Sequence, residues 1–277
     1  MSILSGNPPL KLGMAQTPAS RAEVTRLQTL LTAAGFSPGA LDGDFGPGTQ
    51  AAVIAFQRSS GLLADGVVGP RTAAALAENP HPAPLADATA GMTVAIAARL
   101  FPHTLLANIK KNLPIVLDAL RLAGIADRVM VLTALATIRA ESEGFEPISE
   151  GLSRYNTSPG GHPFDLYDHR RDLGNRGAPD GREYCGRGFI QLTGRDNYKK
   201  YGPRLTPQQD LVHAPALANQ PLCAAQILAL FLKDQERNIK EAMLNNDYAR
   251  ARRCVNGGSH GLDRFTSAYQ IGDDLLA

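Results

Sequence analysis

The 277-residue chain contains no tryptophan, only three cysteines and no long run of apolar residues. Its cysteines are scattered and odd in number, which argues against a disulfide framework, and no Cys-x-x-Cys pair indicates a zinc site. A membrane span would need about 18 consecutive apolar residues, and the N-terminus lacks the basic start and apolar run of a signal peptide. The formal net charge is only +2. These absences predict no membrane insertion, no signal peptide and no nucleic-acid partner.

Basic residues are nevertheless concentrated between His169 and Arg204, where they outnumber the acids. Such a basic segment suits an anionic polymer, but solvated basic faces are common on protein surfaces. The sequence leaves both interpretations open. The residues of this basic segment are Arg170, Arg171, Arg176, Arg182, Arg187, Arg195, Lys199 and Lys200.

A proline-rich stretch, NPHPAPLADATAG over residues 79–91, divides the chain. Prolines crowd its first half and small residues fill its second half, which is typical of a semi-extended spacer. We therefore predict an N-terminal tail over residues 1–14, a small domain over residues 15–78 and a larger domain over residues 92–277. The hydrophobic content of 44% allows each domain to build a core.

The small domain contains one turn design twice, as DGDFGPGTQAAV over residues 42–53 and DGVVGPRTAAAL over residues 65–76. Glycines permit positive φ in each turn, and Thr49 and Thr72 are placed to cap or open the helices that follow. An amphipathic pattern upstream stops at Gly35. The sequence therefore predicts three short helices joined by two glycine turns.

The segments VTRLQTLLTAAGF and LDGDFGPGTQAAVIAFQRSSGLLADGVVGPRTAAAL closely resemble the peptidoglycan-binding module of bacterial and phage wall enzymes. The resemblance covers nearly the whole small domain and implies binding to bacterial peptidoglycan. Asp42, Asp65 and the two threonines have a simpler interpretation as residues that only stabilise the turns.

The larger domain is predicted to be mainly α-helical, because apolar residues recur at mixed spacings of three and four. No series of alternating strands appears, although short extended pieces are expected around REYCGRGFIQLTG. The predicted helices are VAIAARLF, NIKKNLPIVLDALRLAG, DRVMVLTALATIRAES, PLCAAQILALFLKDQERNIKEAML and DYARARRCVNGG.

An acidic cluster, RAESEGFEPISEG over residues 139–151, follows directly on one of these apolar helices. Met130, Ala134, Thr137 and Glu141 share one face of that helix, so Glu141 is expected to end a half-buried stripe. The negative end of the helix dipole and partial burial both disfavour a charged carboxylate, so we expect a raised pKa for Glu141. A general acid needs such a group.

Gly144 and Pro147 then break the helix, which places Glu146 and Glu150 on a loop. A continued helix would separate Glu141 from Glu150 by about 13 Å, whereas a folded loop shortens that distance. Two such carboxylates are the usual apparatus for glycoside hydrolysis, and a gap of roughly 6.5 to 9.5 Å predicts inversion at the anomeric carbon.

Five segments in order, ESEGF, YDHRRDLGN, YCGRGFIQLTGRDNYKKYG, VNGG and LDRF, resemble the family 19 glycoside hydrolases, specifically their bacterial and phage lysozyme-like branch. The resemblance spans residues 128–268. It implies a lysozyme-like fold and an endolysin-type muramidase that cuts β-1,4 bonds between N-acetylmuramic acid and N-acetylglucosamine. We expect a monomer that uses no cofactor or metal. The absence of a secretion signal predicts a phage product that stays in the host cytoplasm until lysis and then acts on periplasmic peptidoglycan, and a prophage gene or a secreted bacterial effector would have the same sequence features.

The same resemblance assigns roles to individual residues. Glu141 corresponds to the general acid, Glu150 to the general base and Thr193 to a hydroxyl that holds the attacking water. Because the chain lacks tryptophan, sugar stacking is left to tyrosines such as Tyr155, Tyr184 and Tyr198. The predicted substrate-binding residues are Gln191, Asn197, Tyr184, Asn256 and Arg264.

Several alternatives stay open at the level of sequence. The enzyme could be a chitinase acting on N-acetylglucosamine polymers, or an inactive fold that only binds the wall. A zinc-dependent amidase or peptidase would have to use His162, Asp165, Asp168 and His169, whose spacing fits no zinc motif. Glu146 competes with Glu150 as the general base, and Glu143 is interpreted as a solvated acid.

Overall fold

The computed structural model describes residues 4–14, 16–36, 38–78, 87–243, 246–256, 258 and 261–276. The chain divides into two compact units, Met1–Ala86 and Asp87–Ala277. Both are built from helices, and the described residues contain a single two-stranded sheet. The predicted mainly α fold is therefore confirmed.

The small unit consists of the three predicted helices, α1 (Pro18–Ala33), α2 (Pro47–Ser59) and α3 (Pro70–Glu78). Proline occupies the first position of each helix, where its missing N–H is not needed. Leu4 and Leu10, which the sequence assigns to an N-terminal tail, are buried in the core of this unit. The backbone of Leu10 also pairs with that of Val68, with N···O distances of 3.2 and 2.9 Å.

A buried glutamine locks the first glycine turn. Gln28 Nε2 donates to Asp42 Oδ1 at 3.0 Å and lies 3.1 Å from both Asp44 O and Thr49 Oγ1, while its Oε1 accepts from Gly43 N at 3.0 Å. Asp42 Oδ1 also accepts from Asp44 N at 2.9 Å. One side chain thus satisfies the polar groups of the whole turn.

The second turn repeats this arrangement with Gln57. Its Nε2 donates to Asp65 Oδ1 and Val67 O, both at 2.9 Å, and lies 3.2 Å from Thr72 Oγ1, while its Oε1 accepts from Gly66 N at 2.9 Å. Thr49 and Thr72 do not cap their helices but lie in the first turn of α2 and α3, so they open the helices, the second of the two predicted alternatives. The aspartates stabilise the turns, as their simpler interpretation predicted.

The larger unit begins at Asp87. The first part of the predicted linker, residues 79–86, lies outside the described residues, but the second part belongs to this unit. Ala88 N donates to Ala126 O at 2.9 Å, and Asp87 forms an ion pair with Arg121 at 3.2 Å. The helices of this unit are α4 (Val94–Leu100), α5 (Leu106–Leu122), α6 (Arg128–Ser142), α7 (Asp165–Asp168), α8 (Asp180–Glu183), α9 (Arg195–Tyr201), α10 (Pro221–Met243), α11 (Tyr248–Asn256) and α12 (Leu262–Leu275).

Helix α6 is the central element of this unit. Asp127 caps its N-terminus by accepting from Met130 N at 3.3 Å, and almost every side chain from Met130 to Ala140 is fully buried. The expected single half-buried stripe is therefore wrong, because α4, α10 and α12 all pack against α6. A helix that is apolar on all sides belongs in a core.

The structure confirms the five helices that the spacing of apolar residues predicted, namely α4, α5, α6, α10 and α11. Helix α12 was not predicted. The expected extended piece is β2 (Arg187–Gly188), which pairs antiparallel with β1 (Ile148–Ser149). This short sheet joins the segment after α6 to the glycine-rich segment before α9. None of the described helices has the length and apolarity needed to traverse a bilayer.

Candidate active site

The chain reverses direction directly after Glu141. Helix α6 ends at Ser142, and the next residues include two non-glycine positions with positive φ, Glu143 at 36° and Phe145 at 53°. Such conformations are costly and persist only where the surroundings hold them. Phe145 is fully buried, with its ring centroid 4.6 Å from that of Phe101 and 6.1 Å from that of Phe189.

Three polar side chains spaced four residues apart support this reversal. Thr104 Oγ1 donates to the carbonyl of Glu143. Asn108 Nδ2 donates to Gly144 O at 2.9 Å, and Asn112 Nδ2 donates to Phe145 O at 2.8 Å. Because positions four apart lie on one face of a helix, α5 presents both asparagines to successive carbonyls of the turn. These bonds satisfy backbone groups that the end of α6 leaves without helical partners.

The short sheet then places Glu150 beside the glycine-rich segment. Ile148 pairs with Gly188, and Ser149 pairs with Arg187. Glu150 N donates to Gly186 O at 2.8 Å, and Gly186 N donates back to Glu150 Oε2 at 3.2 Å. Glu150 is therefore fixed through both its backbone and its carboxylate.

Two further donors hold the Glu150 carboxylate. Asn156 Nδ2 and Tyr167 Oη both donate to Glu150 Oε1 at 2.9 Å, and Asn156 is fully buried. Burial, together with the hydrogen bond to Glu150 and its charge, raises the pKa of the Tyr167 hydroxyl above its usual value. Tyr167 therefore remains a donor throughout the neutral range.

Asn175 fixes the backbone that carries Tyr167. Its Nδ2 donates to Tyr167 O at 2.8 Å, and its Oδ1 accepts from Arg195 N at 2.9 Å. The buried amide thus ties the segment after α7 to the first residue of α9. This gives the YDHRRDLGN motif a physical role, because its final asparagine sets the position of its first tyrosine.

Glu141 is held in a different way. Its Oε1 accepts from Arg252 Nη2 at 2.7 Å, and the Arg252 side chain, on α11, is fully buried, whereas Glu141 is 13% exposed. A buried guanidinium fixes a carboxylate in both position and direction. The exposed edge of Glu141 lies at a cavity.

That cavity has a volume of about 320 Å³. It brings together four of the predicted site residues, which lie on three separate segments of the larger unit. Apolar side chains from the remaining walls complete it. The predicted residues at the cavity are Glu141, Gln191, Thr193 and Asn197, and the apolar ones include Leu173, Ile190, Phe231 and Val255.

The polar residues of the cavity are ordered by hydrogen bonds. Gln191 has a positive φ of 53°, and its Nε2 donates to Ile148 O at 3.0 Å. Thr193 Oγ1 donates to Gln191 O at 2.8 Å, and Asn197 Nδ2 donates to Thr193 O at 2.7 Å. Gln191 therefore connects the cavity to the strand that precedes Glu150.

Gly186 is a common neighbour of Gln191 and Glu150, whereas Glu150 itself does not line the cavity. A Cβ atom at Gly186 would lie 2.9 Å from Gln191 Oε1 and 3.1 Å from Glu150 Oε2. Gln191 also lines the cavity with Glu141. Glycine is required here because a side chain would displace one of these polar groups.

The prediction of Tyr184 as a sugar-binding residue is wrong. Its side chain is only 1% exposed, its hydroxyl donates to Val212 O at 3.0 Å, and its ring packs on Tyr198. Tyr198 is fully buried as well. Both rings occupy the core because the segment between β2 and α9 folds over them. Of the three candidate stacking tyrosines, Tyr155 alone is exposed, at 72%.

Arg264, another predicted substrate-binding residue, pairs with neither Glu141 nor Glu150 in the part of the chain that the structure describes. Arg264 Nη1 lies 3.5 Å from Glu143 Oε2, and Glu143 also pairs with Arg139 at 2.6 Å. Arg139 holds the pKa of Glu143 below its usual value, so the interpretation of Glu143 as a solvated acid is incomplete. Asn256 ends α11, and its side chain lies outside what the structure describes.

Sequence reasoning missed Arg252, Asn156 and Tyr167, which hold the two acids. Arg252 lies one helical turn before Asn256, on the apolar face of its predicted helix. A charged residue on an apolar face was the sequence signal that could have identified it as a buried partner of an acid. Asn156 and Tyr167 gave no such signal, because polar residues in a loop are ordinary.

Among the described residues, no three His, Cys, Asp or Glu side chains cluster as a metal site would require. His162 Nε2 lies 3.0 Å from Asp168 Oδ2, while Asp165 accepts from Ser158 N at 2.8 Å. These residues hold the loop before α7. His169 is placed beside Gly177.

Comparisons with known proteins identify the small unit. Residues 20–76 match the family described as "Putative peptidoglycan binding domain". Over 69 residues, or 24% of this chain, the sequence is 45% identical to a probable N-acetylmuramoyl-L-alanine amidase of Bacillus licheniformis. The chain matches only 18% of the length of that amidase.

Solved structures align more distantly. A chitinase C mutant aligns with 66% of this chain and 93% of its own, at 20% identity and a TM-score of 0.45. The Burkholderia AP3 phage endolysin aligns with 97% of this chain and 99% of its own, at 20% identity and a TM-score of 0.24. The sequence match to the peptidoglycan-binding family covers residues 20–76, which lie in the small unit.

Proposed function

We propose that this chain is a bacterial cell-wall hydrolase of the endolysin type, whose larger unit cuts β-1,4 bonds between N-acetylmuramic acid and N-acetylglucosamine. The observation that carries the proposal is the cavity in which Glu141 meets Gln191, Thr193 and Asn197, with Glu150 beside Gln191. Amides and hydroxyls are the groups that bind sugar hydroxyl and acetamido groups. Two carboxylates near them supply an acid and a base.

Glu150 is the proposed general base. Its carboxylate accepts three hydrogen bonds, from Asn156, Tyr167 and Gly186, and these fix its orientation. Such a group takes a proton from water as the water attacks the anomeric carbon. The Thr193 hydroxyl, at the cavity, would hold that water. Among the described residues no such set of hydrogen bonds holds the Glu146 carboxylate, which favours Glu150.

Glu141 is the proposed general acid. It stands at the cavity wall with Arg252 behind it, so its proton would be delivered from one defined position. Bound sugar would expel water from the cavity, so that the proton passes to the leaving oxygen rather than to solvent. Cleavage then leaves the proton on the departing oxygen and hydroxide from water on the anomeric carbon.

The small unit is the proposed wall anchor. Its family match concerns peptidoglycan binding, and its two glutamine-locked turns give a rigid three-helix scaffold. Linking a binding unit to a catalytic unit raises the local concentration of the active site at the polymer without new contacts at either site. Bacterial peptidoglycan is therefore the proposed partner of both units.

Digestion of peptidoglycan in heavy-oxygen water, followed by mass spectrometry, tests this function. A new reducing N-acetylmuramic acid that carries the label is the expected product. Labelled reducing N-acetylglucosamine from the wall, or a free lactyl carboxylate released by amide cleavage, would contradict it. Release of soluble sugar from chitin without clearing of walls would assign a chitinase instead. Glu141→Gln serves as the control, because it should bind walls without producing labelled ends.

A further inference from the structure

We propose that a second cavity in the larger unit, of about 560 Å³, binds carboxylate groups of the peptides attached to the wall glycan. The inference rests on the proposed function and adds a reason why this enzyme would prefer peptidoglycan to chitin. Cationic side chains line the cavity from three parts of the chain, namely Arg176, the α9 residues Arg195 and Lys199, and His213.

The two cavities are neighbours that share two segments of the chain. One segment contributes Leu173 to the candidate active site and Arg176 to the second cavity. Helix α9 contributes Asn197 to the active site and Lys199 to the second cavity. Because positions two apart on a helix point in different directions, α9 separates the cavities and faces both. A glycan in the first cavity would carry its peptide towards the second.

The ion pairs formed by the basic segment support an anion site at this cavity. Three of its eight residues are paired with carboxylates, namely Arg170, Arg195 and Lys200. Arg176 and Lys199 form no ion pair with any described residue, and both are exposed at the cavity. These two charges are therefore available to a ligand at the cavity.

The inner wall of the cavity is held rigidly. Asp180, almost fully buried, accepts from Arg195 Nε at 2.8 Å, and the Arg195 guanidinium lies 4.5 Å above the Tyr184 ring centroid. His213 Nδ1 lies 2.7 Å from Asp210 Oδ2. Asp180 pairs with Arg195 and Asp210 with His213, and neither carboxylate forms an ion pair with Arg176 or Lys199 in the described structure.

The ligand should be a carboxylate. A guanidinium and an ammonium at one cavity attract an anion, and Gln208 and Gln209 add amide donors at its rim. In peptidoglycan the anions nearest the scissile bond are peptide carboxylates, because the peptide starts on the muramic acid itself. Phosphate groups of other wall polymers have related chemistry, so the experiment must separate the two sources.

The test compares two double variants of the full chain that lose the same charge. Arg176→Gln/Lys199→Gln neutralises the cavity, whereas Arg171→Gln/Lys200→Gln neutralises the neighbouring residues outside it. Each is assayed on intact, phosphate-free peptidoglycan and on glycan strands from which an amidase has removed the peptides. The cavity variant should lose about tenfold in kcat/KM on the peptide-bearing substrate, the effect of one charge-assisted hydrogen bond. Its activity on bare glycan should equal that of the wild type.

Each other outcome has a defined meaning. Equal losses by both double variants would show general attraction to an anionic wall and overturn the proposal, as would a loss on bare glycan. A loss confined to walls that carry phosphate polymers would assign the cavity to phosphate and overturn the carboxylate assignment. If the wild type cuts neither substrate, the proposed function itself fails. Matching unfolding midpoints, followed by tyrosine fluorescence, confirm that both variants are folded.

Discussion

The two proposed catalytic acids lie only nine positions apart, yet the protein holds them by opposite means. Glu141 ends a buried helix and pairs with the buried cation of Arg252. Glu150 lies on a loop and accepts from three neutral donors, Asn156, Tyr167 and the backbone of Gly186. Different surroundings are how one fold assigns different roles to chemically identical groups. Because both groups are glutamates, the residues that contact them, rather than the glutamates themselves, would distinguish the proposed acid from the proposed base.

The largest effect is expected from neutralising Glu141, the proposed general acid. Glu141→Gln keeps the shape of the side chain but removes the proton donor, so we expect kcat on peptidoglycan to fall by about 10³-fold or more. Wall binding should not change, because the small unit is untouched. Sedimentation with insoluble walls measures binding, and reducing-end release measures kcat. A variant with normal kcat would remove Glu141 from the mechanism.

The second test removes the cation behind Glu141. Arg252→Met preserves much of the volume but leaves the carboxyl group without its charged partner, and we expect kcat to fall by about 10²-fold. Arg253→Gln, on the exposed side of the same helix, is the matched control and should retain full activity. All seven tyrosines lie in the larger unit and the chain lacks tryptophan, so tyrosine fluorescence checks folding of that unit alone. Equal activity of the two variants would reduce Arg252 to a structural residue.

The third test addresses the base. Tyr167→Phe removes one donor to Glu150, and we expect kcat to fall by about tenfold with KM unchanged. Tyr201→Phe is a matched control, because it removes a hydroxyl that donates to Asp234, a carboxylate outside the candidate site, at 3.1 Å.

The pH profile sharpens this third test. Since the pKa of Tyr167 is raised by burial and by Glu150, the hydroxyl stays protonated, and its contribution should be constant from about pH 5 to about pH 9. A loss of kcat in Tyr167→Phe that disappears within this pH range would contradict the role of Tyr167 as a donor to Glu150.

The smallest effect on kcat is expected at Glu143, one of the two glutamates between Glu141 and Glu150 in the sequence. Glu143→Gln removes the charge of a half-exposed carboxylate that pairs with the largely buried Arg139 and with Arg264. We expect kcat to change less than about twofold, and the free energy of unfolding to fall by about 1 kcal/mol or more because the Arg139 cation loses its partner. The pKa of Glu143 is lowered in the folded protein, so its contribution is present above the ordinary value and disappears as pH falls through the lowered one. Urea unfolding should therefore distinguish the two proteins at pH 7 and not in strong acid.

Much of the architecture was predictable because it depends on local patterns. Recurring apolar residues predicted α5, α6 and α10, and Gly144 with Pro147 predicted that α6 ends beside Glu141. Helix α12 was missed, although Phe265, Ala268 and Tyr269 follow helical spacing. The resemblance to a glycosidase family gathered Gln191, Thr193 and Asn197, which the structure places at one cavity.

By itself, the sequence determined the helical class, the two units, the repeated turns and the position of Glu141 at the end of its helix, because propensity and periodicity act over a few residues. Only tertiary structure decided which groups surround each acid. Arg252 is separated from Glu141 by 111 positions and Tyr167 from Glu150 by 17. It also decided that Tyr184 belongs to the core. Contacts between distant residues and burial arise from packing, which local patterns do not encode.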